Sequence, residues 1–193
     1  MEKLTGKKLN TAVFISGRGS NLKSLIKYSK SKNSLIKINL VISSKKKAEG
    51  LKYPIKSKIK YNVINYKNNK LAEKKIILLL NRFKIDLICL AGFMKILSKD
   101  FIKIFKKPIL NIHPSLLPKY KGLETHRRVL LNKEKFSGST VHVVNSKLDS
   151  GKIILQKKVK ILKYDNVKSI EKKILKIEHG LYSKAIHKFI SNL

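Results

Sequence analysis

Asn111, His113 and Asp149 are the residues of this sequence whose types and spacing best suit chemistry. Asn111 and His113 end the strand-like run that starts at Pro108, and they stand two residues apart. On a strand, that spacing points both side chains to the same side. An amide beside an imidazole supplies a donor for a developing oxyanion and a group that exchanges protons near neutral pH. Pro114 and Pro118 stiffen the loop that follows. A lone histidine at a strand end is also a common structural residue. Asp149 begins the turn Asp149-Ser150-Gly151, where aspartate is favoured for purely local reasons. It equally suits the role of a carboxylate that orients and charges a histidine.

The segment Ser16-Gly17-Arg18-Gly19-Ser20-Asn21-Leu22 follows a strand-like run and opens a helix. Glycines let a backbone approach an anion, and the free amides of a helix start favour negative charge. Leu22 stands where the dinucleotide fingerprint requires its third glycine, and no Gly-Lys-Ser/Thr follows as in a Walker loop. A phosphate-binding turn and a glycine turn capped by Ser20 both fit this pattern. His126, His142, His179 and His187 form no i,i+4 pair or Cys/His cluster, so no metal site is expected. Cys89 lies in an apolar strand, which suits the core better than a nucleophile.

The elements that must position these residues alternate between short apolar strands and helical stretches. Strands are expected over Thr11–Ser16, Leu35–Ile42, Tyr61–Asn65, Ile85–Ala91, Pro108–Ile112, Gly138–Val144 and Lys152–Val159. Helices are expected over Leu22–Tyr28 and Leu71–Phe83. A third is expected over Val167–Ile190, where apolar residues recur at steps of three and four. Glu178 sits on or beside that apolar face, either flanking it or aimed into a site. Such alternation predicts an α/β, Rossmann-like fold with a mostly parallel twisted sheet and helices on both faces. Ligands on such sheets bind beyond the carboxyl ends of strands, where Gly17–Asn21, Gly92–Lys95, His113 and Asp149 fall.

A length of 193 residues predicts one domain over 1–193. No stretch approaches the ~18 uninterrupted apolar residues of a membrane span. The lysine-rich start lacks a secretory signal pattern. With one cysteine, a reducing cytoplasm is the expected compartment. The charge is extreme: Lys+Arg 45 against Asp+Glu 11, for a net +34. A nucleic-acid partner would suit such a charge. So would the codon bias of an AT-rich genome, since the lysines spread along the whole chain and tryptophan is absent. Nucleic acid is therefore not the expected partner, although the excess should attract small anionic substrates.

The ordered blocks Ile15–Leu22, Leu90–Leu97, Asn111–Gly122 and Val141–Gln156 resemble the folate-dependent phosphoribosylglycinamide formyltransferases of purine biosynthesis. The likeness runs from about Ala12 to Phe189 and implies the formyltransferase fold. It implies that 10-formyltetrahydrofolate serves as co-substrate and glycinamide ribonucleotide as acceptor, with no metal. It makes Asn111, His113 and Asp149 catalytic. It assigns Gly19, Ser20, Asn21, Leu22, Lys23 and Glu178 to the ribonucleotide, and Asn69, Met94, Lys95, Ile96, Leu97 and Asn111 to folate. The stretch Val143–Asp149 would wrap the pterin. Two positions depart from the family: Asn69, with Lys70 beside it, stands where relatives often carry arginine, and Glu124 where they often carry histidine. The expected mechanism is direct attack of the amine on the formyl carbon, with Asn111 and a protonated His113 holding the oxyanion. Asp149 is expected to raise the His113 pKa above its reference of ~6.5. Rival readings are a methionyl-tRNA formyltransferase, a formyltetrahydrofolate hydrolase, or a basic nucleic-acid-binding module. Oligomeric state is not legible.

Overall fold

The computed structural model describes residues 8–192. The chain divides into two compact units, Met1–Pro108 and Ile109–Leu193. In the first unit, β1 (Leu9–Ile15), β2 (Ile36–Ser43), β3 (Lys60–Val63) and β4 (Leu87–Leu90) lie in the order β3-β2-β1-β4. Every pairing among them is parallel. Ala12, Val13, Phe14 and Ile15 have no exposed surface, and neither do Leu87, Ile88 and Cys89. Such unbroken apolar runs are what strands buried on both faces require. Parallel neighbours need crossovers, which α1 (Ser20–Ser29), α2 (Lys52–Lys56) and α3 (Asn69–Arg82) supply. A short α4 (Lys99–Phe105) follows β4.

The helix starts are fixed by local chemistry. The Asn68 side chain accepts from Leu71 N at 3.0 Å and caps α3, while Ser98 caps α4 by accepting from Phe101 N at 3.0 Å. At α1 the cap position is Gly19 itself, at φ 72, and no side chain caps the helix.

The second unit is antiparallel. β5 (Ile109–His113) pairs with β6 (Phe136–Val143), which pairs with β7 (Ile153–Lys160). α5 (Thr125–Leu131) precedes β6, and α6 (Val167–Ser191) ends the unit. A capping box between Asn166 and Ser169 starts α6. Its buried stripe of Ile170, Ile174, Leu181, Ala185 and Ile186 matches the expected periodicity. Tyr182 is buried with them, and its hydroxyl donates to Leu110 O at 2.9 Å.

All ten expected elements are present, with ends shifted by at most two residues. α2, α4 and α5 were not expected; at five to seven residues they are too short to show a periodic signal. Within the second unit both pairings are antiparallel; the short loop between β6 and β7 leaves no room for a parallel crossover, whereas the longer β5–β6 connection carries α5. Among the described residues no helix is long and apolar enough to cross a membrane.

Candidate active site

In the second unit, β5 delivers Asn111 and His113 to one side, as the two-residue spacing requires. The antiparallel register sets Asn111 opposite His142 and His113 opposite Thr140. Asp149 reaches the same place from the loop after β6, held at φ 44 in the left-handed region. An L-residue there is strained, and non-glycine residues found there cluster at functional sites.

The four polar side chains form one network. Asn111 Nδ2 lies 3.2 Å from His142 Nε2 and donates to Asp149 Oδ1 at 3.4 Å. Asp149 Oδ2 accepts from Gly122 N at 2.9 Å and stands 3.4 Å from His113 Nδ1. Asp149 Oδ1 is 3.5 Å from His142 Nε2. The backbone fixes both tautomers. His113 Nε2 sits 2.9 Å from Tyr120 O and His142 Nδ1 sits 2.9 Å from Val143 O. A carbonyl only accepts, so each of those nitrogens carries a hydrogen. On a neutral His113 ring, Nδ1 is therefore a lone pair aimed at Asp149, while His142 presents Nε2 to Asn111 and Asp149.

The charge state differs from expectation. Burial pushes the His113 pKa below its ordinary value of 6.5, aided by His142 and Arg128. The Tyr120 carbonyl and Asp149 oppose that shift without reversing it. The expected Asp149-driven rise, and with it a resting imidazolium, is thus corrected: the ring is only 7% exposed, and desolvation outweighs a carboxylate 3.4 Å away. Burial also works to raise the Asp149 pKa. The hydrogen bonds from His142 and Gly122 N, with the charges of the two histidines, overcome it and hold the carboxyl below its usual value. At rest the pair is a neutral imidazole facing a carboxylate.

Glu178 is buried at 5% exposure, so it points inward from α6 rather than flanking its face. The Ser139 hydroxyl is shared between Glu178 Oε1, at 3.1 Å, and His113 O, at 3.0 Å. That hydroxyl ties the helix carboxylate to the end of β5. His142, Ser139 and the Tyr120 and Gly122 backbone were not picked out from the sequence. Their roles depend on strand register and loop path, for which the chain prints no local motif.

In the first unit, the segment after β1 leaves its helix-start amides without a side-chain cap, so the reading of Ser20 as a cap does not hold. Gly19 is needed twice over. Its φ is 72, and a Cβ there would lie 2.6 Å from Gly50 Cα. Gly50 N donates to Gly17 O at 3.0 Å, which pins this approach. Gly17, Arg18 and Lys23 are exposed, Ser20 is half-buried, and Asn21 and Leu22 are buried. Ser16, just upstream, accepts from Met94 N at 2.8 Å and its own N donates to Gly92 O at 3.1 Å. The Gly17–Lys23 turn and the 92–97 segment are therefore tied together within this unit. In that segment Met94 is 60% and Ile96 72% exposed, while Leu97 is buried. Two apolar side chains held outward suit a flat apolar ligand. Lys95 Nζ stands 5.8 Å from the Tyr66 ring centre. Asn69 is an exposed first residue of α3. Among the described residues no group of three or more His, Cys, Asp or Glu side chains is placed to hold a metal ion.

An Asn/His/Asp network of this kind suits group transfer, and the chain matches the formyl transferase family over residues 9–186. The phosphoribosylglycinamide formyltransferase of Haemophilus influenzae is 41% identical over 181 residues, covering 92% of this chain and 85% of that protein. The crystal structure of phosphoribosylglycinamide formyltransferase from Brucella melitensis superposes with a TM-score of 0.90 at 39% identity, covering 95% of this chain and 96% of that one. The human trifunctional purine biosynthetic protein adenosine-3 is 41% identical over 183 residues, and the chain spans 18% of its length. The chain belongs to the formyl transferase family, as a member of its phosphoribosylglycinamide formyltransferase group.

Proposed function

We propose that this chain transfers the formyl group of 10-formyltetrahydrofolate to the amine of glycinamide ribonucleotide, giving formylglycinamide ribonucleotide and tetrahydrofolate. The observation that carries the reading is the Asn111–His113–His142–Asp149 network in a chain related end to end to such enzymes. The amine nitrogen attacks the formyl carbon, a C–N bond forms, and the carbonyl becomes an oxyanion. Asn111 turns an amide hydrogen to that oxyanion; its present contacts, at 3.2 and 3.4 Å, are long enough to be exchanged. A donor so placed is commonly worth ~3 kcal/mol.

The proton lost by the amine goes to His113 Nδ1, because Nε2 is committed to Tyr120 O. Asp149 stabilises the imidazolium that results. His113 then returns the proton to the folate nitrogen as the second C–N bond breaks. One proton moves from amine to leaving group, and no covalent enzyme intermediate is needed. The uncapped helix start formed by Gly19, Ser20, Asn21, Leu22 and Lys23 holds the ribonucleotide phosphate. Glu178 holds the ribonucleotide, and Met94, Lys95, Ile96 and Leu97, with Asn69 and Asn111, hold folate. The two units act as one formyltransferase domain in the cytoplasm. The test is to incubate the protein with 10-formyltetrahydrofolate and follow tetrahydrofolate formation with and without glycinamide ribonucleotide. Amine-dependent release is expected. Release without the amine would make the chain a hydrolase, and none with it would point to another acceptor.

A further inference from the structure

The second unit also holds a cavity of about 390 Å³ beneath the loop that follows β5. That volume falls within the roughly 300–1,000 Å³ range of small-molecule sites. None of the residues assigned to formyl transfer lines it. Its apolar wall is built by Leu116, Pro118, Val129 and Phe136. Ser137, on β6, also lines it and is only 2% exposed, yet its hydroxyl has no hydrogen-bond partner. The nearby hydroxyls on the same strand behave differently: Ser139 Oγ bonds His113 O, and Thr140 Oγ1 bonds Ser115 O at 2.6 Å. A buried hydroxyl left unmatched is costly unless something fills its place.

The charges in the wall do not cancel. Lys119 Nζ is 2.8 Å from Glu134 Oε1, and the Tyr120 hydroxyl donates to the same oxygen at 2.9 Å, so that lysine is neutralised. Lys158 Nζ sits 3.6 Å from the centre of the Phe136 ring and is the cation left to the wall. We propose that this cavity is a second small-molecule site, shaped for a flat aromatic ligand bearing one carboxylate. The ring lies against Phe136 and Leu116, the carboxylate meets Lys158, and a polar atom satisfies Ser137. Tyr120 forms part of the same wall, and its carbonyl accepts the His113 Nε2 hydrogen. Filling the cavity is therefore felt at His113. The binding itself does not depend on the formyl-transfer reading.

The test titrates the full chain with 2-naphthoate and, in parallel, with uncharged 2-naphthamide. Both titrations are made by calorimetry at physiological salt, where diffuse attraction to the basic surface is screened. One saturable site per chain is expected for naphthoate. Naphthamide, and naphthoate with Lys158→Ala, should each bind roughly tenfold more weakly, the size of a lost charge-assisted contact. Ser137→Ala should weaken binding by a few-fold. The His113 ring resonance should shift in step with saturation. The proposal is overturned by the absence of saturable naphthoate binding, by several sites per chain, by affinity unchanged in Lys158→Ala, or by displacement with tetrahydrofolate. Lys158 is exposed, so its variant keeps the fold and the test decisive.

Discussion

The Gly17–Lys23 turn and the Asn111–Asp149 network are built from different materials. The first is nearly all backbone: a left-handed Gly19, its close approach to Gly50, and helix amides that no side chain caps. The second is nearly all side chain: two imidazoles, an amide and a carboxylate, steered by single backbone contacts from Tyr120, Val143 and Gly122. A backbone site depends first on its glycine and less on its side chains. A side-chain site fails when one titrating group is lost. The two regions should therefore break in different ways.

The largest effect is expected from His113→Ala. Removing the proton carrier should cut turnover by about 10²–10⁴-fold while the ribonucleotide KM moves little. Rate measurements under saturating substrates check this, and near-normal turnover would dissolve the contrast between the regions. Gly19→Ala acts on stability instead. The strained φ and the 2.6 Å approach to Gly50 should cost about 1–3 kcal/mol, read as a lowered urea midpoint. An unchanged midpoint would show that the turn is not as tightly fixed as its backbone indicates. Replacing Ser20 and Asn21 together with alanine should raise the ribonucleotide KM by roughly tenfold, each lost hydrogen bond counting for about a kcal/mol. A rise confined to the folate KM would mean that the substrates are assigned to the wrong segments.

The smallest effect is a pH dependence. His113 is neutral when folded, with a pKa below 6.5, because burial outweighs the Tyr120 carbonyl and Asp149. The unfolded chain then takes up the proton more readily. Its contribution to stability is complete above 6.5 and is lost as pH falls through the folded-state value. Asp149 contributes in a lower window, present above its ordinary 3.8 and lost as pH falls further. The urea midpoint should thus decline between pH 7 and pH 5, and less steeply in His113→Gln. Equal slopes would assign that titration to other groups, such as His126, whose pKa burial also lowers.

The same division explains what was legible in the sequence. Strands β1 and β4 announce themselves as apolar runs, and α6 through its three-and-four spacing, because burial imposes those periods directly. Asn111 and His113 were legible as a pair for a geometric reason, the two-residue alternation of a strand. Their coupling to Asp149 came from the family resemblance, and the distances now place it at 3.4 Å from both. His142 stayed hidden because its place opposite Asn111 follows from antiparallel register, which no local pattern records. The protonation state of His113 is hidden for a related reason. A nearby carboxylate is visible in a sequence, whereas the desolvation that outweighs it comes from packing.

Formyl transfer is proposed to run on the second unit, with the ribonucleotide phosphate anchored by the first. Asp149→Asn tests it most directly, with turnover and glycinamide ribonucleotide affinity measured on the same purified protein. The account predicts that turnover falls by about 10³-fold, since the imidazolium loses its countercharge, while ribonucleotide affinity stays within about twofold. Near-normal formyl transfer, or a loss of affinity as large as the loss of rate, would contradict it.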